Sequence, residues 1–124
     1  MMFHKIHPDM NLAELVEKLN LSIFSGKEAL SKPVTGGYTS DLLSDVMGHA
    51  GPGQVWITLQ THKNVVAIAS LKELSAIILV KGYKPDDEML SQSIAERIPV
   101  LGTTLETFEI TGRVFMLLNR DNSD

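Results

Sequence analysis

The sequence predicts an α/β fold in which a largely parallel sheet of four or five strands carries helices on both faces. Segments typical of strands and of helices alternate four or five times along the 124 residues. Such alternation favours parallel strands that are joined through helices. In addition, the run 76–80 is continuously apolar, as expected of a strand that is buried on both faces of a parallel sheet.

The first half of the chain is predicted to contain two helices and two strands. Asp9 is a good N-cap, and the apolar spacing after it predicts a helix over 10–19. Short strands are expected over 21–24 and 34–38. Thr39 or Ser40 is expected to cap a second helix that Gly48 ends, before a tight loop at 51–53. The apolar face of that second helix consists of Leu42, Leu43, Val46 and Met47.

The second half continues the alternation and ends in a helix. The sequence predicts strands over 54–59, 76–80 and 98–101. Thr61 is a plausible cap for a helix over 64–74, and acidic residues open a helix over 86–97, where the helix dipole favours them. The last helix is expected over 105–118, with Thr103 or Thr104 as its cap. The polar tail 119–124 is expected to be loose.

Composition and charge exclude several classes of function. The chain has no cysteine, which excludes disulfides, thiol catalysis and cysteine-bound metals. A net charge of −4 without any basic run argues against nucleic-acid binding. No signal peptide is apparent, and no apolar run approaches the roughly 20 residues of a membrane helix. We therefore expect a soluble, cytoplasmic protein that forms one domain over 1–124, with its core at about 10–118 and no cofactor.

The stretch 34–45 is the most informative part of the sequence. It combines a short strand, the pair Gly36-Gly37, and hydroxyl and carboxylate residues typical of a helix start. Adjacent glycines let the backbone bend or approach another group closely. The N–H groups of a helix start are partly positive and suit an anion. An anion site is one explanation of this stretch, and a tight turn or close helix packing is the other.

Other strand-to-helix junctions share this chemistry. Hydroxyl residues recur at 60–64 and 102–104, and the junction 80–84 adds two lysines. Ligands of open α/β sheets sit beyond the carboxyl ends of the strands, so these junctions could together hold a phosphate or a carboxylate. The same Ser and Thr residues are also ordinary helix caps. The candidate ligand-binding residues are Thr35, Gly36, Gly37, Tyr38, Ser40, Asp41, Thr61, His62, Asn64 and Thr103.

No known catalytic or metal-binding constellation is recognisable. The four histidines lack metal-ligand spacing, and only His62 lies at a candidate site, where it could contact an anion, respond to pH or simply face solvent. The phosphate-binding loop, the nucleophile elbow and the dinucleotide fingerprint are absent. Asp41 and Asp45 share a helix face and could bind a cation or act as acid and base, although exposed like charges are a commoner arrangement. We predict no catalytic and no metal residue.

Several segments together resemble the DRTGG domain family. They are 32–38 with 40–45, then 55–67 and 98–101, and the resemblance extends over about 10–118. DRTGG domains are similar to the N-terminal domain of HPr kinase/phosphorylase, which implies a three-layer α/β/α fold. Relatives accompany CBS domains in regulated pyrophosphatases, occur in phosphotransacetylases, and stand alone in anaerobic bacteria. The resemblance thus implies a regulatory or architectural role, often with self-association.

The chain departs from the motif that gives the family its name. Before Thr35 it carries 31–34 in place of the Asp-Arg pair, although Lys32 keeps a positive charge. The catalytic phosphate loop of HPr kinase lies in another domain and is absent here. The resemblance therefore implies no kinase activity.

Three functions are consistent with the sequence. The favoured one is a homodimeric, non-catalytic regulatory module that binds a phosphorylated or nucleotide-like metabolite and signals to a protein partner. The second is a dimerisation or docking domain without a small ligand, with Trp56, Tyr83 and Phe115 as candidate anchors. The third is a small enzyme using Asp41, His62 and the glycine turn, for which the chain offers few convergent groups. A helical face or the sheet edge would form the dimer.

Overall fold

The computed structural model describes residues 10–119, which form a five-stranded sheet between two layers of helices. The helices are α1 (Leu12–Leu19), α2 (Leu43–His49), α3 (Lys63–Leu71), α4 (Asp87–Glu96) and α5 (Thr107–Leu118). The strands are β1 (Ser22–Ser25), β2 (Gly36–Thr39), β3 (Gln54–Thr58), β4 (Ala76–Leu79) and β5 (Val100–Gly102). The predicted three-layer α/β/α fold is confirmed.

The sheet has the strand order β1-β5-β4-β3-β2. The four strands β2 to β5 are parallel and neighbour one another in chain order. The first strand, β1, instead crosses to the far side and pairs antiparallel with β5, where Ser22 faces Gly102. As a result β1 and β2 form the two edges of the sheet, and the carboxyl ends of β2 to β5 all lie at one end.

Alternate residues of the central strands supply two separate cores. In β4, Ile78 packs with α1 and α5, while Ile77 packs with α2, α3 and α4. In β3, Ile57 and Trp56 divide between the same two cores. Side chains along a strand point alternately to opposite faces, so continuously apolar strands can fill both layers. These buried strands explain why the sheet could be predicted from the sequence.

Most helix starts differ from the sequence prediction. Asp9 lies outside the described residues, and Asn11 caps α1 by accepting the Glu14 N–H at 2.9 Å. The second helix begins at Leu43 without a side-chain cap. Neither Thr39 nor Ser40 is its N-cap, because the chain runs on through residues 40–42 before it turns into the helix.

The starts of α3 and α5 also lack the predicted caps. Their N-cap residues are His62 and Glu106, without a capping side-chain bond, in place of Thr61 and of Thr103 or Thr104. The Thr103 Oγ1 instead accepts the Leu105 N–H at 3.1 Å, which stabilises the loop before α5. The acidic start of α4 is confirmed.

Several helix and strand ends are also corrected. The second helix continues through Gly48 to His49, and α3 ends at Leu71, shortly before Glu73 takes a left-handed conformation with φ 59°. The last strand is Val100–Gly102, later than predicted. No helix in the part of the chain that the structure describes is long and apolar enough to cross a membrane.

Candidate functional site

The structure divides the predicted ligand-binding residues between the two ends of the sheet. Ser40, Asp41 and Thr61 follow the carboxyl ends of their strands, as does Thr103. Thr35 and the glycine pair instead lie at the start of β2, where the Thr35 Oγ1 donates to the Pro52 carbonyl at 2.8 Å. The ten residues therefore do not form one continuous rim.

Asp41 joins the exits of β2 and β3. Its Oδ1 accepts the Thr58 hydroxyl at 2.8 Å and the Leu59 N–H at 2.9 Å. The Gln60 side chain donates back to the Asp41 carbonyl at 2.8 Å. Because this carboxylate already holds two neighbouring loops together, its contacts indicate a positioning role for it within the fold.

Tyr38 points into the α2 layer. Its hydroxyl donates to the Asp45 Oδ1 at 2.8 Å, and its ring packs against the core on that face. The hydrogen bonds from Tyr38 and Ser40 lower the pKa of Asp45, and the nearby His49 adds to this effect. The same bond to Asp45 raises the pKa of Tyr38. Tyr38 thus ties α2 to the edge strand.

His62 is paired with Asp86 across the starts of α3 and α4. The His62 Nδ1 lies 3.1 Å from the Asp86 Oδ2, and the Asp86 N–H donates to the Thr61 carbonyl at 3.1 Å. The hydrogen bond from the Met89 N–H is the main cause that lowers the pKa of Asp86, and the hydrogen bond with His62 lowers it further. Asn64 is exposed in the first turn of α3. The described residues contain no group of three or more side chains able to hold a metal ion.

A crevice lies at the carboxyl ends of β4 and β5, next to the antiparallel strand β1. The chain leaving β4 enters α4 in one helix layer, whereas the chain leaving β5 enters α5 in the other. In open α/β sheets, ligands usually bind beyond the carboxyl ends of two neighbouring strands whose following helices lie on opposite faces of the sheet. A cavity of about 180 Å³ lies here, lined by Ser22, Phe24, Gly82, Tyr83, Lys84, Gly102, Thr103 and Thr104.

The loops that leave β4 and β5 are joined to each other beside this crevice by backbone hydrogen bonds. The Gly82 N–H donates to the Thr103 carbonyl, and the Lys81 N–H donates to the Leu105 carbonyl, both at 2.9 Å. The Lys81 ammonium lies 3.9 Å from the Glu106 carboxylate. Lys84, and not Lys81, lines the cavity, together with Thr103 and Thr104. Of the ten predicted residues, only Thr103 belongs to this site.

The glycine pair lines a second, larger depression of about 370 Å³ between β2 and α5. Neither glycine has a positive φ, and a Cβ at Gly37 would meet the Val114 side chain at an ordinary 3.6 Å. The pair is thus not required for a turn, and the missing side chain of Gly37, the glycine that faces α5, widens this groove. The groove is lined by Thr35, Gly36, Gly37, Thr39, Gln54, Ile57, Thr111, Val114, Phe115, Leu118 and Asn119, none of which is charged.

The contact between α5 and the glycine pair was not predicted from the sequence. Thr111 was not a candidate, yet its hydroxyl lies 2.9 Å from that of Thr39 and holds the helix to the edge strand. The available signal was the number of apolar residues in α5, which exceeds what one buried face requires. Phe108, Phe115 and Met116 are 91%, 57% and 72% exposed.

Comparison with solved structures identifies a relative in fold. The chain is similar to the CBS and DRTGG domains of the regulatory region of Clostridium perfringens pyrophosphatase, in a crystal structure of the complex with the activator diadenosine tetraphosphate. The TM-score is 0.66 at 15% sequence identity. The resemblance to DRTGG domains seen in the sequence therefore extends to the fold.

The match covers 87% of this chain and 46% of that regulatory region, so the chain spans about half the length of its relative. No protein-family model matches the sequence, and no curated protein matches it.

Proposed function

We propose that this chain is a single-domain, non-catalytic regulatory module that binds a phosphorylated or nucleotide-like metabolite in the crevice at the carboxyl ends of β4 and β5. It acts as a homodimer in the cytoplasm and passes the signal to a protein partner. The observation that carries the proposal is the position of Lys84, Thr103 and Thr104 around a cavity at the carboxyl ends of two strands whose following helices lie in opposite layers.

This crevice suits an anionic group better than the larger groove beside the glycine pair does. A lysine ammonium and hydroxyl groups donate to phosphate oxygens, whereas no charged residue lines the groove beside the glycine pair. A volume of about 180 Å³ accommodates a phosphate group with the rest of the metabolite outside. Tyr83 is 46% exposed at the rim, where its ring can stack on a nucleobase.

The relative in fold supports a sensing role by analogy. The regulatory region of the C. perfringens enzyme was crystallised with an activator that is a dinucleotide polyphosphate. In the present chain, Asp41 and His62, the candidate groups of an enzyme, have separate partners in Thr58 and Asp86. A regulatory module accounts for these contacts without a reaction.

Thermal unfolding with a ligand panel tests the proposal. The panel contains adenine nucleotides, uridine nucleotide-sugars, nicotinamide cofactors, acetyl phosphate and inorganic phosphate. A ligand at a hundred times its Kd adds about 2.7 kcal/mol to the free energy of unfolding, which raises the Tm by several degrees in a domain of this size. We expect Lys84→Ala to lose the shift and Lys18→Ala, on α1, to keep it.

A flat panel would reject the sensing function and favour the second candidate, a dimerisation or docking domain without a small ligand. The exposed apolar residues of α5 support that alternative. A shift that survives in Lys84→Ala would instead move the site away from the crevice, and the β2 groove, with Gly37, would then be tested.

A further inference from the structure

We propose that two copies of this chain associate through their β2 edges, which pair antiparallel, while their α5 helices pack together across the two-fold axis. The inference deepens the homodimer of the proposed function and rests on it. It assigns the groove beside Gly36 and Gly37 to a second copy of the chain.

Among residues 10–119, no strand pairs with the outer side of β2 over 36–39, and just before this stretch the Val34 N–H donates to the Met10 carbonyl at 3.0 Å. Protected edge strands carry bulges, charged side chains or prolines, which discourage pairing with another strand. The opposite edge, β1, has a register shift between Ile23 and Ser25 where it pairs with β5. In contrast, β2 pairs with β3 in unbroken register, and the segment 34–40 contains no charge and no proline.

Exposed apolar side chains of α5 flank this edge. Phe115 lines the groove together with the glycine pair, and Phe108 lies seven residues earlier, on the same helix face. Gly112 lies between them and lets another helix approach closely. With 91% and 57% exposure, the two phenyl rings present on the order of 300 Å².

The position of α5 over the sheet allows two copies of this helix to meet across a β2–β2 pair. Val114 packs against both Gly37 and the core residue Val55, so α5 lies over the β2–β3 pair. Paired strands lie about 4.8 Å apart. Antiparallel pairing of two β2 strands would therefore place the two α5 axes on the order of 10 Å apart, close to the separation at which helices pack. One two-fold axis covers the open edge and the apolar helix face at once.

The charge and the apolar area of this face both suit a second copy of the chain. A two-fold axis makes the same surface patch face itself, so a patch with net charge would repel its copy. The charges within this face, Glu109 and Arg113, already form an ion pair at 2.7 Å. Stable dimers bury roughly 800 Å² per partner, of which the two phenyl rings and Met116 supply a large share. These features select a second copy over a charged peptide as the occupant.

The molar mass of the full chain in solution tests this interface. Light scattering during gel filtration should give a dimer for the wild type and a monomer for Phe115→Glu, whose side chain is already half-exposed and not required for the core. The matched control is Leu71→Glu, which places the same charge at a residue of α3 with 67% exposure and should remain dimeric.

Cross-linking provides a second readout that does not depend on a destabilising change. The chain has no cysteine, and a Cβ at Gly37 meets its neighbours only at ordinary contact distances. Gly37→Cys should therefore couple to its own copy through a short bis-maleimide, whereas Leu71→Cys should not. A monomeric wild type, a dimer that survives Phe115→Glu, or a dimer without the Gly37→Cys cross-link would overturn the proposal.

The nucleotide-induced shift separates this outcome from the sensing function. If the wild type is monomeric but still gains thermal stability with a nucleotide, the proposed interface is wrong and the proposed ligand site in the crevice stands. If Gly37→Cys cross-links but no ligand of the panel raises the Tm, the proposed interface stands and the sensing function is wrong.

Discussion

At the scale of single residues, the predicted ligand-binding side chains of this protein mostly hold loops together. Asp41 bonds to Thr58 and Leu59, Tyr38 to Asp45, and His62 to Asp86. The polar residues at the strand ends are therefore positioned by one another.

The Tyr38–Asp45 bond makes the stability of the protein depend on pH in a defined direction. The folded-state pKa of Asp45 is lowered, so its contribution is present above the unfolded value of about 3.9 and is lost as pH falls through the folded value. The pKa of Tyr38 is raised, so its contribution is lost only as pH rises above about 10. We expect Tyr38→Phe to be less stable than wild type at pH 7.

Urea unfolding between pH 7 and pH 2 checks this expectation. The difference in free energy of unfolding between wild type and Tyr38→Phe should narrow as pH falls below the unfolded value of about 3.9 and through the lowered folded-state pKa of Asp45. Tyr83→Phe, a change at an exposed ring, should show no such pH-dependent difference. A gap for Tyr38→Phe that stays constant down to pH 2 would mean that the bond to Asp45 contributes nothing.

At the scale of elements, the antiparallel pair β1–β5 depends on a close approach. A Cβ on Gly102 would lie 2.5 Å from the ring of Phe24, which packs against the core. Gly26, at the end of β1, has φ +86° and would place a Cβ 2.5 Å from Pro99. Gly102 thus lets β5 lie close to Phe24 of β1, and Gly26 lets the loop after β1 lie close to Pro99, just before β5.

Alanine at two glycines separates crowding from helix propensity. Gly102→Ala should lower the free energy of unfolding by about 1–3 kcal/mol, because the Phe24 ring must leave its packed position. Gly48→Ala, within α2 and with no atom near its Cβ, should raise it by about 0.5–1 kcal/mol. Chemical denaturation measures both, and an unchanged Gly102→Ala protein would show that the Phe24 ring moves freely.

At the scale of the whole molecule, one sheet supports two cores. Leu15 belongs to the core shared by α1 and α5, and Leu74 to the core shared by α2, α3 and α4. Neighbouring residues of β3 and β4 enter both cores. Loss of either helix layer would expose one face of the sheet, so the two cores should unfold together.

Calorimetry of Leu15→Ala and Leu74→Ala tests this coupling. Each substitution removes a fully buried leucine side chain and should lower the free energy of unfolding by about 2–5 kcal/mol. At fixed protein concentration, each variant should keep a single transition whose calorimetric and van't Hoff enthalpies agree. Two separated transitions in either variant would contradict a single cooperative unit.

The fold was predictable because its central strands show their burial directly in the sequence. Residues 76–80 and 55–57 are apolar at every position, which few structures other than a doubly covered sheet explain. The candidate site was less predictable, since Thr35 and Thr103 lie at opposite ends of the sheet and only the strand order reveals this. The exposure of Phe108 likewise depends on which face of α5 meets the sheet, a tertiary choice that periodicity leaves open.

The pairing of β1 with β5 has a consequence for folding during synthesis. Ser22 faces Gly102, so the first strand has no neighbour until almost all of the described chain has left the ribosome. Contacts between residues so far apart in sequence form slowly. The parallel strands β2 to β5 can assemble stepwise in chain order, and α1 can already bond to residues 30–34, whereas β1 must remain unpaired until β5 emerges. Cotranslational folding is thus expected to finish with the pairing of β1.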